Sequence, residues 1–226
     1  MPLNYYFFII FGATLKQKIS QMIDNSKFEP LRAYYKQILP TMSPEAWELA
    51  QSLLTVRTVK KRDFVIKEGE VCNFIAFVNY GSVRMYHLIE GREKIMSFCN
   101  ETCYISEYQS FLTRRPAQVS IQALENTELV ETSYEGLQLL YQKVPEANIL
   151  GRLIAEQLFL MLFDGSLMVI KESIEQRYNK LINEQPWLMQ RVPQYMIASF
   201  LGITPEALSR IKARAVRQRQ PVLQVV

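Results

Sequence analysis

Three residues near the C-terminus have the types and the spacing for contacts with DNA bases: Glu206, Ser209 and Arg210. On an α-helix they share one side, since each residue advances about 100° around the helix axis. In the major groove a glutamate can accept a hydrogen bond from cytosine, an arginine can donate two to guanine, and a serine can do either. The alternative is a solvated helix face, on which Glu206 and Arg210 form an ion pair worth about 0.2–0.5 kcal/mol.

The segments around these residues favour base contacts, because they have the pattern of a helix-turn-helix. A first helix is predicted over residues 192–201, and it ends at Gly202, the residue type that adopts a left-handed turn at low cost. Thr204 is the predicted cap of the second helix, and Pro205 takes its first position. Ala198 is small where the two helices must cross closely. Apolar side chains predicted between the helices are Ile197, Leu201, Ile203, Leu208 and Ile211.

The distribution of charge also favours an anionic partner. The whole chain of 226 residues has a formal net charge of +4, whereas residues 171–226 alone contain nine Lys and Arg against four Asp and Glu. Such a local excess of positive charge is expected where a protein meets the phosphates of a nucleic acid. The residues predicted to contact phosphates are Gln194, Thr204, Lys212, Arg214 and Arg217.

A long apolar helix is predicted ahead of this region, beginning at Pro145. Its apolar residues recur at alternating steps of four and three, which is the heptad pattern of a helix that packs on one neighbouring helix. A second copy of the chain is the favoured neighbour, because the helix is longer than a small β domain could cover, and packing within the chain is the alternative. The predicted dimer contacts are Ile149, Leu153, Leu160, Phe163 and Leu167.

Between about Val56 and Tyr134 the sequence consists of short β-type runs that are separated by turn signals. Breaks fall at Gly69, Gly81 and Gly91, and another pair of strands flanks residues 125–126. Regular spacing of this kind predicts a small antiparallel barrel or roll. A helix is predicted just before it, from Ser43 as cap to Leu54. The fold class expected for the chain is therefore α+β.

The cysteines and the single histidine do not predict a metal or catalytic site. Cys72, Cys99 and Cys103 are an odd number, and free intracellular thiols are expected. Cys99 and Cys103 are close in sequence, but no further ligand with metal spacing follows, so neither an iron–sulfur nor a haem site is expected. The sequence has no Ser/His/Asp set, phosphate loop or paired-acid motif, which predicts that the protein is not an enzyme.

The apolar segment Tyr5–Phe11 is too short to cross a bilayer, which needs about 20 residues. It also lacks the preceding basic residue and following cleavage site of a signal peptide. We expect residues 1–26 to be an extension that packs on the body of the protein or on its partner, or else a product of an upstream start codon. We expect the protein to be cytoplasmic.

A β-roll, a long helix and a helix-turn-helix, in that order, resemble the Crp/Fnr family of bacterial transcription regulators. The resemblance is carried by "EGEVCNFIAFVNYGSVR", "YISEYQSF" and "IASFLGITPEALSRI". It implies a cyclic-nucleotide-binding-like sensor roll over residues 27–144, a dimerisation helix over 145–170 and a helix-turn-helix domain over 171–226 with a reduced or absent wing.

The resemblance also carries expectations about function. The reading helix of the Fnr-like branch contains Glu-x-x-Ser-Arg, and here those residues are Glu206, Ser209 and Arg210. A homodimer bound to a palindromic promoter is implied, with half-sites one turn of DNA apart. RNA polymerase and a small-molecule effector are the further partners that the family implies.

The sequence departs from the members that bind cyclic AMP. Those members have Gly-Glu before a short helix and Arg-Ser before the next strand, where this chain has Ser106 and Glu107, then Ala117 and Gln118. A buried cyclic phosphate needs a cation such as arginine, and Ala117 offers none. We therefore predict no standard cyclic AMP site and expect Glu107 to cap the following loop. Should an effector pocket exist here, its candidate residues are Glu107, Arg114, Arg115 and Gln118.

A function of another class stays open at this point. The chain could be a ligand-binding module whose helix-turn-helix contacts proteins rather than DNA. Salt-dependent binding to DNA would distinguish the two, because it reports the release of counterions from phosphates.

Overall fold

The computed structural model describes the backbone of residues 25–219 and the side chains of residues 25–214. Most of the predicted N-terminal extension, including Tyr5–Phe11, lies outside the described residues. Two helices precede the strands: α1 (Glu29–Ile38) and α2 (Pro44–Ser52). As predicted, α2 is capped by Ser43, whose hydroxyl accepts a hydrogen bond from the Ala46 N–H at 3.2 Å.

The next part of the chain is a roll of eight short strands, interrupted by one short helix. The strands pair in two four-stranded sheets, ordered β1-β8-β3-β6 and β2-β7-β4-β5, and every pairing is antiparallel. This topology confirms the predicted α+β fold with an antiparallel β-roll. The elements are β1 (Leu54–Val59), β2 (Phe64–Ile66), β3 (Phe74–Tyr80), β4 (Val83–Ile89), β5 (Arg92–Cys99), β6 (Tyr104–Ile105), α3 (Tyr108–Thr113), β7 (Ser120–Ala123) and β8 (Thr127–Ser133).

The interior of the roll is filled by apolar side chains from both sheets. Ala76, Phe111, Ile121 and Leu129 are completely buried, and Cys72 lies among them as a buried free thiol. One tight turn depends on a glycine: Gly81, between β3 and β4, has φ +94°, and a Cβ there would lie 2.6 Å from Thr127 Oγ1.

Two helices follow the roll: α4 (Tyr134–Lys143) and α5 (Pro145–Lys171), which is the long helix expected from the heptad pattern. Near its start α5 is anchored by the buried residues Ala147 and Leu150, and Gly151 leaves room for the ring of Tyr141 from α4. Its C-terminal two thirds exposes large apolar side chains. Among the described residues, α5 is the one helix long and apolar enough to cross a membrane by length and composition, with a mean hydropathy of 1.8 over its most apolar 18 residues.

Four helices end the described chain: α6 (Ile174–Glu184), α7 (Trp187–Arg191), α8 (Gln194–Leu201) and α9 (Pro205–Arg219). A capping box at Ser173 and Gln176 fixes the start of α6. The core of these helices is continuous with the roll, because Tyr86 and Ile95 of the second sheet pack in one cluster with Leu188 and other apolar side chains of α6–α9. The region in which a wing would follow α9 lies outside the described residues.

The expectation of free thiols is wrong for Cys99 and Cys103, which form a disulfide with their Cα atoms 5.8 Å apart. The turn between β5 and β6 brings the two residues together. Thr102 adopts φ +67° in this turn, and the Cys103 N–H donates to the Asn100 carbonyl at 3.2 Å. A four-residue separation in sequence does not reveal such a turn, because threonine rarely takes a positive φ.

Candidate functional site

Helices α8 and α9 meet at the tight turn that the sequence predicts. Gly202 has φ +73°, and the Ile203 N–H donates to the Ala198 carbonyl at 3.0 Å, so the end of α8 is closed by backbone hydrogen bonds. The Thr204 hydroxyl accepts from the Ala207 N–H at 3.2 Å and caps α9. Helix α8 begins at Gln194 rather than at residue 192, since Pro193 is extended and serves as its cap.

The two helices cross over a fully buried contact. Ile197 and Ala198 of α8 have no exposed surface, and Leu208 of α9 is 1% exposed. The small side chain of Ala198 lets the helices approach closely, as its position in the sequence predicts. This packing fixes the direction of α9 relative to α8.

The face of α9 that points away from this contact carries the three residues predicted to contact bases. Glu206, Ser209 and Arg210 are all exposed on that face, with Ala213 beside them. Hydrogen bonds from its own backbone and from Thr204 lower the pKa of Glu206, and the charge of Arg210 contributes less. Glu206 is therefore a carboxylate at neutral pH, with the acceptor oxygens that a base amino group requires.

The residues predicted to contact phosphates lie in different surroundings. Lys212 of α9 donates to the Gln194 side chain at the start of α8, with 2.9 Å between Nζ and Oε1. Arg214 forms an exposed ion pair with Glu175 of α6 at 3.4 Å, a type of contact that contributes little to stability. Thr204 is engaged as the cap of α9, and the side chain of Arg217 lies outside the described residues.

In the roll, two of the four candidate effector residues are satisfied by internal contacts. Glu107 is buried and accepts a hydrogen bond from the Ser110 N–H at 2.6 Å, so it caps α3 as expected. The Arg114 guanidinium donates to the Cys72 carbonyl at 2.9 Å and lies over the ring of Tyr134. Neither group is available to a ligand without losing these contacts.

The other two candidates, Arg115 and Gln118, are exposed. Between them Ala117 is buried, and its backbone bonds to the turn before β3 through the Glu70 carbonyl and the Gly69 N–H, both at 2.8 Å. The position at which the cyclic AMP-binding members have an arginine therefore contributes a methyl group to the core of the roll.

One polar contact between the C-terminal helices and the roll was not predicted from the sequence. The guanidinium of Arg191, at the end of α7, forms two 2.8 Å hydrogen bonds to Glu101 and two to Glu125, at 3.0 and 2.5 Å. The hydrogen bond from Arg191 lowers the pKa of Glu101 to about 2. No spacing signal marks this contact, because its members are 90 and 66 residues apart.

A second unpredicted contact joins α8 to the roll. The Ser199 hydroxyl donates to the Glu93 carbonyl at 3.0 Å and accepts from the Ile95 N–H at 3.2 Å, so it binds the backbone of β5, the edge strand of its sheet. The rings of Phe200 and Phe98 pack beside it, with 5.7 Å between their centroids. We call the contacts of Arg191 and Ser199 with the roll the docking interface.

The roll can now be assigned by comparison with known proteins. Residues 56–144 match the cyclic nucleotide-binding domain family. No curated protein matches the chain at a significant level. Several solved structures with the same fold are regulators of the Crp/Fnr family.

Three of these structures illustrate the likeness. The catabolite activator protein of Thermus thermophilus is 20% identical, with a TM-score of 0.51 over 80% of this chain and 87% of that protein. The c-di-GMP-responsive global regulator CLP of Xanthomonas campestris is 20% identical, with a TM-score of 0.62 over 78% and 93%. FixK2 from Bradyrhizobium japonicum is 18% identical, with a TM-score of 0.61 over 73% and 85%. At these identities the likeness establishes the fold, which includes the roll and the helices after it.

Proposed function

We propose that this chain is a transcription regulator of the Crp/Fnr type, a homodimer that binds a palindromic promoter through α9. The observation that carries the proposal is the exposed face of Glu206, Ser209 and Arg210 on a helix whose opposite face is buried against α8. A helix held in this way can enter a major groove while the first helix lies across the DNA backbone.

Two charged residues beside this face support contacts with DNA phosphates. Lys212 and Arg214 lie on the same helix, and the partners that hold them are a neutral amide and an exposed carboxylate. The exposed Arg214–Glu175 pair can exchange for phosphate, because its own free energy is small, and the partly buried Lys212 is held only by a neutral group. Arg191 is excluded from this role, since it is committed to the docking interface.

The homodimer is supported by the exposed face of α5. Leu160 and Phe163 of the predicted dimer contacts are 58% and 52% exposed, and neighbouring apolar residues of the same helix are exposed to a similar degree. Exposed apolar surface of this extent marks an interface with another molecule. A second copy of α5 fits it, because the alternating four-three spacing lets two such helices pack along their length.

The sensor roll is proposed to respond to a signal other than cyclic AMP bound in the standard way. Ala117 supplies no positive charge to a phosphate, and Arg114 is held by the Cys72 carbonyl, the Asn73 side chain and the Tyr134 ring. Moving Arg114 to a ligand would break these contacts, which favours a different effector or a different place for it.

Binding of the full chain to random-sequence duplex DNA at several salt concentrations tests the proposal against protein contacts alone. We expect the logarithm of the association constant to fall linearly with the logarithm of salt concentration, because each neutralised phosphate releases counterions. Arg214→Ala should reduce that slope by about one unit, whereas Lys60→Ala, in the turn after β1, should leave it unchanged. Absence of binding at low salt would contradict the proposal and favour a module for protein contacts.

A further inference from the structure

The Cys99–Cys103 disulfide closes a loop that contains Glu101, one of the carboxylates of the docking interface. Glu101 is the central residue of the five-residue loop that the disulfide closes, and its carboxylate holds the Arg191 guanidinium with both oxygens. The same carboxylate also accepts a hydrogen bond from the Gly81 N–H at 2.9 Å. Each cysteine of the disulfide is thus two residues from Glu101, which contacts the C-terminal helices.

The backbone of this loop is bonded to the neighbouring strands at Cys99, at Thr102 and at Cys103. The Thr102 N–H donates to the Val78 carbonyl at 3.0 Å, and the Val78 N–H donates to the Cys103 carbonyl at 2.9 Å. Thr102 is held at a positive φ, which a threonine avoids when it is free to do so. The disulfide therefore restricts the conformations from which Glu101 can reach Arg191.

The docking interface has few other polar contacts to hold it. On the roll side they come from Glu125 and from the β5 backbone at Glu93 and Ile95, and the latter are bound by the single hydroxyl of Ser199. Loss of the bidentate Glu101 contact removes two of the four charge-assisted hydrogen bonds of Arg191 and leaves the two to Glu125. The orientation of α8, and with it α9, is then less restricted.

We propose that Cys99 and Cys103 form a thiol–disulfide switch that controls how firmly the α7–α9 helices dock on the roll. The inference extends the proposed function, because the docked helices are those proposed to bind DNA, but docking itself is measurable without DNA. A disulfide in an intracellular protein is usually transient and often senses redox state. The Cys99–Cys103 disulfide lies in a loop at the docking interface rather than across the core, which fits a role in sensing redox state.

The chemistry is a two-electron exchange with cellular oxidants and reductants. In oxidation, one thiolate attacks a peroxide oxygen and yields a sulfenic acid and an alcohol or water, and the second thiol then displaces water to form the S–S bond. In reduction, a thiolate of a dithiol reductant attacks one sulfur, the other leaves as a thiolate and takes up a proton, and the second thiol of the reductant resolves the mixed disulfide. Cys103 is the accessible sulfur, since it is half-buried, whereas Cys99 is 6% exposed.

Hydrogen exchange on the full chain without DNA tests the switch directly. The protein is treated with dithiothreitol or with hydrogen peroxide, and mass analysis after thiol alkylation reports the redox state of each cysteine. In the reduced protein we expect the Ile95 amide and the backbone of α8 to exchange about five- to tenfold faster, because the loop that carries Glu101 is released. The amides of β1 and β8, in the other sheet, serve as the internal reference.

Three variants separate the switch from a general effect of reduction. Cys99→Ser/Cys103→Ser should exchange at the fast rate under both treatments, and Glu101→Gln should do so while its disulfide still forms. Cys72→Ser, which removes the buried third thiol, should respond as the unmodified chain does. If the double variant does not fold, the comparison of reduced and oxidised wild-type protein still shows whether docking depends on the disulfide.

Two results would overturn the proposal: equal exchange of Ile95 and α8 in both redox states, or no Cys99–Cys103 disulfide after peroxide treatment. Redox-dependent exchange in a protein that fails to bind DNA would support the switch while contradicting the proposed function. DNA binding with redox-independent exchange would support the proposed function while contradicting the switch.

Discussion

At the scale of single residues, three side chains predicted to contact bases lie together on one exposed surface, while the effector candidates do not share one environment. The first outcome follows from helix geometry, which fixes which residues share a face once a helix is assigned. The second depends on loop contacts such as that of Arg114 with the Cys72 carbonyl, 42 residues away in sequence. Contacts of that kind leave no periodic signal, so the sequence could indicate the side chains but not their partners.

Arg210 is the side chain whose loss should change sequence preference. Arg210→Ala is expected to weaken binding to the preferred site by about 1–3 kcal/mol and to relax the preference at one base pair in each half-site, because a bidentate contact to guanine is lost. Arg214→Ala, the control, should weaken all sequences about equally. Binding measured against a panel of single base-pair substitutions checks both, and an unchanged preference in the first variant would show that another face of α9 contacts the bases.

Glu101 should make docking sensitive to acid. Its pKa is about 2 in the docked state against an ordinary value of 4.5, since Arg191 stabilises the carboxylate. The stabilisation is fully present above the ordinary value and is lost as the pH falls from 4.5 towards 2. The fluorescence of Trp187, whose ring lies 5.5 Å from the Arg191 guanidinium, should report this change in a Trp47→Phe background.

Glu101→Gln is the control for that titration, because the amide does not ionise in this range. The variant should lack the transition between pH 4.5 and 2, while any general effect of acid on the roll remains. Identical titrations of the two proteins would assign the transition to another group and contradict the role of Glu101.

At the scale of elements, the positions of most helices and strands could be predicted from the sequence. Two features could not: the contacts of α5 and the turn at Thr102. The β-runs between Val56 and Tyr134 predicted the roll because turn residues such as Gly81 and Gly91 divide them. Helix α5 was expected from its apolar spacing, yet its contacts are still a prediction, since most of it is exposed in the single chain. The Thr102 turn that joins Cys99 to Cys103 had no sequence signal at all.

The seam of α5 should be essential for dimerisation. Leu160→Glu places a charge where two copies of the helix are expected to pack, and removing an unpaired charge from water costs several kcal/mol, so monomers should result. Leu162→Glu is the matched control, because Leu162 is 60% exposed against 58% for Leu160 but lies off the heptad seam. Sedimentation velocity distinguishes the outcomes: a dimeric Leu160→Glu variant would exclude the seam as the interface.

At the scale of the whole molecule, the arrangement of the C-terminal helices on the roll is the least predictable feature and the one most relevant to regulation. Apolar residues from β4 and β5 share a core with α6–α9, and Arg191 and Ser199 add polar contacts across 66 to 106 residues of sequence. In the proposed dimer, docking would couple a signal in the roll to the spacing of the two α9 helices, because docking fixes α9 relative to the roll.

We also expect that cyclic AMP is not the signal to which the roll responds. Calorimetric titration of the full chain with micromolar cyclic AMP should show no binding, because the phosphate would lose water without gaining a cation in the roll. Arg115 is exposed and lies two residues before Ala117, so it could supply the missing cation, and Arg115→Ala is the diagnostic variant. Saturable micromolar binding that disappears in Arg115→Ala would restore a nucleotide-gated mechanism.

Selection of bound sequences from a random pool of duplex DNA, using the full chain, tests whether the protein is a dimer that binds DNA through α9. We expect enrichment of a palindromic sequence with half-sites one helical turn apart, about 10–10.5 base pairs between their centres, because a two-fold dimer presents two copies of α9. The Leu160→Glu variant should not enrich the palindrome. Enrichment of no sequence, or of a single non-repeated half-site by the wild-type chain, would contradict a dimeric regulator that reads DNA through α9.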